Sequence, residues 1–394
     1  RGRGRRVSVT VSLPGAAYEV HAEPGALARL GELLGACAAR GATRAFIVHD
    51  MGVPGACLER VRDGAEGAGL AIDIATLEPS ERNKTLDTFR DLVAAVVASG
   101  HTRSDPVIAL GGGIVGDLAG FVAASVMRGV PIVQCPTTLL AMVDASVGGK
   151  TGVNLEIPAP DGSASLLKNM VGAFHQPIGV LADIDTLDSL GPRHFRAGLA
   201  ECAKHACIAG DAGRLLDWTL QRRGEIGARE PGTLAELVER NIALKASVVE
   251  RDERESDDAV EGGRMLLNFG HTYAHAIETI AHLSPDPDDP SRAPLHHGEA
   301  VALGMLAATH TARRMGLVEH RVADEIGSLV EALGLPTRVR DLPDRAGLLD
   351  RMARDKKARG GALRLVLPVD RGRCVIVDDA PGSAVREGLD AIAC

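Results

Sequence analysis

The first half of the chain alternates two hydrophobic periods. VSVTV, YEVHA, RAFIVHD, AIDIATL, PVIAL and PIVQCP are short, apolar or alternating, and rich in β-branched residues, so they read as strands. Between them, ALARLGELLGACAARG and TLDTFRDLVAAVVASG carry apolar residues at helical spacing, and the first stops at a glycine. Strands alternating with helices predict a mostly parallel sheet with helices on its faces. After about residue 185 long helical periods dominate: HFRAGLAECAKHACI, TLAELVERNIALKASVVERDE, NFGHTYAHAIETIAHL and GEAVALGMLAATHTARRMG. The expected organisation is an α/β domain over residues 1–185 and a mostly helical domain over 186–394. EIPAPDGSAS (156–165) and SPDPDDPSRAP (284–294), rich in Pro, Gly, Ser and Asp, are expected to be exposed loops.

Within the helical half, the polar positions are as informative as the apolar ones. Arg264, Asn268, His271 and His275 fall at i, i+4, i+7 and i+11, which is one face of a continuous helix. The residues between them are mostly apolar or small. Burying such a basic, imidazole-rich seam costs several kcal/mol unless an anion or a metal pairs with it. An exposed polar helix face has the same spacing.

Composition narrows the function classes. Of 394 residues, 45% are hydrophobic and 24% charged, as in an ordinary globular protein, and aromatics are only 2%, so the core is built from small aliphatic side chains. The net charge of −8 argues against nucleic acid as partner. The basic start, RGRGRR, reads as a terminal tail. No apolar run is long enough to span a bilayer and the start lacks the apolar core of a secretory signal. Seven scattered cysteines suggest no disulfide framework, which fits a cytoplasmic protein, and Cys202 and Cys207 read as small core residues.

Several segments carry candidate chemistry. PVIAL runs into GGGIVGD (111–117), where glycines opening a helix let backbone N–H groups approach a phosphate, although a tight strand-to-helix turn has the same appearance. Asp50 ends a strand, where a carboxylate binds a ribose hydroxyl or caps a helix. Glu81 and Lys84 lie in PSERNK. DASVGGKTGVN (144–154) sets Asp144 and Lys150 about a glycine pair, and LLKNMVGAF adds Lys168 and Asn169. GLAECAKHA puts Glu201 and Lys204 on one helix face, either as a surface ion pair or as part of a site. APLHHGEA supplies His296, His297 and Glu299; one of these histidines with Glu201 and His271 makes a three-ligand set that leaves metal positions open. Lys245, Lys356, Lys357 and Arg128 are further cations suited to a small polyanion, or solvated surface charges.

Taken together, GGGIVGDLAGFVAASVMRGV, QCPTTLLAMVDASVGGKTGVN, KNMVGAFHQP, GLAECAKHACI, LLNFGHTYAHAIE, HHGEAVALGM and DKKARGGALRLVLP resemble the 3-dehydroquinate synthase family of sugar phosphate cyclases, in the family's order over nearly the whole chain. The resemblance implies an N-terminal Rossmann-like NAD-binding α/β domain and a C-terminal mostly helical metal-binding domain. It implies Zn²⁺ (or Co²⁺) held by Glu201, His271 and His297, the last preferred to His296 because it directly precedes Gly-Glu-Ala. Asp144, Lys150, Asn169, Lys204, Lys245, Arg264, Asn268, His275 and Lys356 match active-site positions, and Arg128 matches an arginine that reaches a neighbouring subunit's site in a homodimer. Asp50, Glu81, Lys84, Gly112, Gly113, Asp117, Thr137, Thr138 and Lys168 match positions around the dinucleotide. The chain departs from the family's pattern in a longer link between Asn154 and Lys168, an extended segment before His297, His194 where glutamate is common, and Gly52 where a polar residue is common.

The implied reaction converts 3-deoxy-D-arabino-heptulosonate 7-phosphate to 3-dehydroquinate and phosphate, through transient oxidation by NAD, β-elimination, reduction and intramolecular aldol closure. A cyclase acting on sedoheptulose 7-phosphate or an amino-sugar phosphate is the nearest alternative; Lys245, Arg264 and Lys356 together favour the carboxylated substrate. A metal-dependent alcohol dehydrogenase, which has less use for so many phosphate-binding cations, is the alternative of another class.

Overall fold

The computed structural model describes residues 8–158, 164–255, 260–358 and 363–394, with 158, 164–165, 260–262 and 354–358 described by backbone alone. The chain divides into two compact units, residues 1–191 with 234–250, and residues 192–233 with 251–394. The division lies a few residues beyond the boundary expected at 185/186, and the segment 234–250 belongs to the first unit. It is the body of the helix Pro231–Arg251. Glu250 accepts the backbone N–H of Ser12 at 2.6 Å, and Lys245 forms an ion pair with Asp144, so polar anchors as well as packing hold this helix to the first unit.

The first unit is built on strands β1 (Ser8–Leu13), β2 (Ala16–Glu23), β3 (Arg44–Asp50), β4 (Ala71–Leu77), β5 (Val107–Gly111), β6 (Ile132–Pro136) and β9 (Gly179–Asp183). They form a seven-stranded sheet in the order β1-β2-β9-β6-β5-β3-β4, parallel except for the β1–β2 pair. Alternation along each strand divides the core between the two faces. Ile47, Ile108, Leu110, Val133 and Cys135 face the helices Leu30–Ala38 and Gly55–Gly67. Phe46, Val48, Val107, Ala109 and Ile132 face the helices Leu86–Ala98 and Gly113–Ser125. Both faces are covered, so the central strands read as continuous apolar runs.

Strands β7 (Lys150–Pro158) and β8 (Ala164–Phe174) form a separate antiparallel hairpin. The exposed loop expected over 156–165 is therefore corrected: its ends continue the hairpin, with Ile157 paired to Ser165 and Pro158 to Ala164. Residues 159–163 lie outside the described residues.

The second unit is mostly helical. Its main helices are Pro192–Ile208, His297–Arg314, His320–Ala332, Arg345–Ala358 and Gly382–Ala391. An antiparallel pair, β10 (Arg364–Asp370) and β11 (Arg373–Asp378), joins them. Residues 284–294 form a loop with one 3₁₀ turn, Pro290–Arg292. Cys202 and Cys207 are buried free thiols, as expected of core residues. No helix among the described residues is long and apolar enough to cross a membrane. The RGRGRR tail lies outside the described residues.

The continuous helix expected from Arg264 to His275 is also corrected. Val260–Asn268 is a 3₁₀ segment, Gly270 turns left-handed at φ 81°, and a new α-helix runs from His271 to Ile277. Arg264 and Asn268 thus do not share a helix face with His271 and His275. The break lies at Gly270, where a β-carbon would come within 2.8 Å of the Met305 backbone nitrogen. The turn permits close contact with the helix His297–Arg314, a tertiary constraint that periodicity does not register.

Candidate active site

In the first unit, the chain passes from β3 to the edge strand β4 and then returns to the other side of β3 as β5. The C-terminal ends of β3 and β5 are thus a topological switch point, the position where open α/β sheets bind ligands. Asp50 ends β3 and Gly111 ends β5; a β-carbon on Gly111 would lie 2.7 Å from the Asp50 β-carbon. Asp50 Oδ1 accepts the Gly52 N–H at 2.8 Å in a local turn; the helix that follows, Gly55–Gly67, has Pro54 at its N-cap and no side-chain cap, so Asp50 does not cap it. Gly112 and Gly113 open the helix Gly113–Ser125, and no side chain caps its first turn. Thr137 follows β6, donating its N–H to Gly111 O at 2.9 Å, and Thr138 Oγ1 accepts the Ala141 N–H at 3.2 Å.

Beside this turn, Lys84 is buried and its Nζ donates to Asp117 Oδ2 and Asn169 Oδ1, each at 2.5 Å. Lys168 pairs with Glu81 at 3.5 Å. Glu81, Lys84, Asp117, Lys168 and Asn169 therefore form one polar cluster. Asn154 joins it, and spacing gave no sign of this: it lies where the hairpin register shifts, and its side chain is buried against Glu81. Lys245, 5% exposed, donates to both the carboxylate and the carbonyl of Asp144. Lys150, at the start of β7, is exposed. Arg128 is exposed in a turn where three successive residues, Met127, Arg128 and Gly129, have φ of 50°, 67° and 120°.

In the second unit, three backbone segments converge. Gly298 packs directly on the helix Pro192–Ile208: a β-carbon there would lie 2.1 Å from Ala197 O. Gly304, one helix turn and a half further on, approaches Gly270 O in the same way, at 2.1 Å. These two contacts bring His297, next to Gly298, and His271, next to Gly270, beside Glu201, one turn beyond Ala197. The ligand atoms of Glu201, His271 and His297 all lie within 4.8 Å of one another. The two histidine Nε2 atoms are 3.8 and 3.7 Å from Glu201 Oε1.

This donor set fits a divalent metal. Glu201 is fully buried and ion-paired to Lys204, itself 1% exposed, and among the described residues nothing donates a hydrogen bond to its Oε1. A surface ion pair is therefore ruled out for this couple. His271 Nδ1 faces Phe269 O at 3.3 Å, and His297 Nδ1 faces Glu278 Oε2 at 2.9 Å. An acceptor at each Nδ1 selects the tautomer whose Nε2 lone pair is available to a metal. Glu278 was not expected from the sequence. The only signal for it is its position three residues beyond His275 in HAIE.

Arg193, Glu299 and His275 lie about the triad. Arg193 grips Glu299 with Nε and Nη2 at 2.8 and 2.7 Å, and Glu299 caps the His296 N–H at 2.7 Å. This double anchor fixes the helix start that carries His297. His296 takes no part in the triad; its ring packs against His194 at 4.8 Å. Burial and the Arg193 guanidinium hold it below its ordinary pKa, so it remains a neutral acceptor in the capping box. His275 lies edge-on to His271, centroids 5.8 Å apart. Arg264, 2% exposed, donates to Glu253 O at 2.7 Å, and Asn268 donates to Glu255 at 3.3 Å. Lys356 and Lys357 fall on the helix Arg345–Ala358, with their side chains outside the described residues.

Two family models match the chain consecutively: 3-dehydroquinate synthase N-terminal over residues 74–197 and 3-dehydroquinate synthase C-terminal over 198–358. A 3-dehydroquinate synthase of Paracoccus denitrificans (strain Pd 1222) is 40% identical over 386 residues, covering 97% of this chain and 98% of the relative. One of Symbiobacterium thermophilum is 40% identical over 376 residues, covering 95% and 98%. Among solved structures, a 2-epi-5-epi-valiolone synthase from Streptomyces hygroscopicus subsp. jinggangensis 5008, with NAD⁺ and Zn²⁺ bound, superposes with a TM-score of 0.79 at 26% identity, covering 97% of this chain and 98% of that one. The matched models, the full-length relatives and the shared architecture agree, and the chain belongs to the 3-dehydroquinate synthase family of enzymes.

Proposed function

We propose that the protein is a 3-dehydroquinate synthase, using NAD⁺ and a divalent metal, zinc or cobalt, to convert 3-deoxy-D-arabino-heptulosonate 7-phosphate to 3-dehydroquinate and phosphate. The observation that carries the reading is the convergence of Glu201, His271 and His297, each with a bracing partner, in a chain matching full-length synthases at 40% identity. The NAD⁺ assignment draws support from the switch point at Asp50 and Gly111 and from the cofactor named for the solved relative.

When bound, NAD⁺ supplies a hydride acceptor that is restored within each turnover, and the metal supplies a Lewis acid for the substrate hydroxyls. Glu201, His271 and His297 would hold the metal, and the Lys204 ammonium compensates the buried Glu201 charge. Asp50, Gly112, Gly113, Thr137 and Thr138 would line the dinucleotide, with Glu81, Lys84, Asp117 and Lys168 alongside. Lys245 and Arg264 bind the substrate carboxylate. Asp144 pairs with the Lys245 ammonium and holds it in place. Lys150, Asn268, His275 and Lys356 surround the phosphate, together with Arg128 from a second copy in a homodimer. Asn169 orients the sugar, and His275 exchanges a proton at the C5 hydroxyl.

Phosphate release from the heptulosonate with substoichiometric NAD⁺ is the direct test. Many turnovers per NAD⁺ are expected. NADH accumulating one for one with product would instead mean a dehydrogenase. Turnover of sedoheptulose 7-phosphate, with none of the heptulosonate, would reassign the substrate within the cyclases.

A further inference from the structure

We propose that Asn154 is a positioning residue that locks the cofactor-side segment Glu81–Lys84 to the hairpin strand carrying Asn169. The proposal rests on the functional reading above for what the two sides bind. Asn154 is 2% exposed and sits where the β7–β8 pairing shifts register, between Val153 and Leu155, so its polar groups turn out of the hairpin ladder. Its backbone N–H donates to Lys84 O at 2.8 Å. Its Nδ2 donates to Glu81 O at 3.0 Å and to Glu81 Oε2 at 2.8 Å, and its Oδ1 accepts the Asn169 N–H at 3.0 Å.

These bonds close a circuit. Asn154 reaches Lys84 through its N–H, Lys84 Nζ donates to Asn169 Oδ1 at 2.5 Å, and the Asn169 N–H returns to Asn154. The same Lys84 Nζ touches Asp117, on the helix opened by the glycine turn. Asn169 is held at φ 55°, a left-handed conformation that a non-glycine residue keeps only where its surroundings impose it. Only an asparagine satisfies this position: it needs two side-chain donors toward Glu81 and one acceptor toward Asn169. An aspartate has no donor, and a threonine or leucine lacks the pair. Displacing Asn154 would therefore shift the cofactor contacts at Glu81 and Lys84 and the sugar contact at Asn169 in one step.

Two variants separate this role from simple packing. Asn154→Asp keeps the size and the acceptor but sets a carboxylate against Glu81; Asn154→Ala removes both kinds of contact. The readouts are the NAD⁺ dissociation constant by calorimetry, kcat and KM for phosphate release from the heptulosonate at saturating NAD⁺, amide exchange at Asn169, and Tm. Both variants should bind NAD⁺ about tenfold or more weakly and lose about tenfold in kcat, the effect of one or two lost hydrogen bonds. Asn169 exchange should accelerate in Asn154→Ala and stay near parent in Asn154→Asp, which retains the acceptor. A lowered Tm with NAD⁺ affinity, kcat and exchange all within about twofold of parent would overturn the role. If the parent released no phosphate from the heptulosonate, the substrate reading would fail, while NAD⁺ affinity and Asn169 exchange would still decide the place of Asn154.

Discussion

His297 Nδ1 lies 2.9 Å from Glu278 Oε2, and Glu278 caps the C-terminus of the same short helix that begins at His271. One seven-residue helix thus presents a candidate metal ligand at its first residue and, capping its far end, the carboxylate that faces a second candidate ligand. The Glu278 side chain is 5% exposed, so solvent does not substitute for it. Replacing Glu278 with Ala should weaken zinc binding about 10–100-fold, the usual cost of losing an outer-shell carboxylate. Glu278→Gln keeps an oxygen acceptor and should lose less. Competition against a chromogenic chelator measures both, and indistinguishable chelation curves would remove Glu278 from the metal site.

Gly298 makes a second prediction, because its missing side chain lets two helices touch. A β-carbon there would sit 2.1 Å from Ala197 O and 2.6 Å from Ala197 Cα, both backbone atoms that cannot swing aside. Gly298→Ala should cost about 3 kcal/mol of stability and move His297 away from Glu201. Thermal unfolding and zinc content should fall together. A variant with parental Tm and full metal would show that the helices separate without cost.

Much of this arrangement was legible in the sequence. The strands of the large sheet follow from β-branched apolar runs such as RAFIVHD, and Glu201, His271 and His297 follow from motifs that resemble a family. What periodicity misses is set by tertiary contact. NFGHTYAHAIE has helical spacing throughout, yet Gly270 breaks it because the helix His297–Arg314 approaches there. The hairpin strands β7 and β8 hide behind Pro158 and Pro160, which read as loop. Asn154 carries no spacing signal and Glu278 only its place three residues beyond His275, because each acts through a residue distant in sequence.

The turn Met127-Arg128-Gly129, in which Arg128 is exposed, is strained. Two consecutive non-glycine residues at positive φ cost of order 1–3 kcal/mol each, a conformation kept only where surrounding structure imposes it. If Arg128 serves a second copy's phosphate site, mixing Arg128→Ala with Lys204→Ala subunits should restore activity. Mixed dimers then hold one competent site, made from the Lys204-bearing cleft and the other subunit's arginine. Activity no greater than the sum of the two separate variants would show that Arg128 acts within its own chain or not at all.

Asp105 gives a pH dependence independent of the catalytic residues. It is fully buried and accepts the N–H groups of Thr43, Arg44 and Thr102 at 2.7, 3.0 and 2.6 Å, and the Thr102 hydroxyl at 2.8 Å. Burial alone would raise its pKa, but the backbone donors outweigh burial and hold the carboxyl below its ordinary value. A carboxylate depressed in the folded state stabilises the fold above its unfolded pKa of about 3.9, and that contribution is lost as pH falls through the lower folded value. The parent's stability should therefore fall on acidification from about pH 4 downward more steeply than that of Asp105→Asn. At pH 7 the Asn variant should already be less stable by about 2–3 kcal/mol, since a neutral amide replaces a charged acceptor of four hydrogen bonds and directs an NH₂ group at donors. Urea unfolding of both proteins across pH 3–7 measures the difference. Parallel curves would mean that Asp105 is not held as an anion by this set of N–H groups.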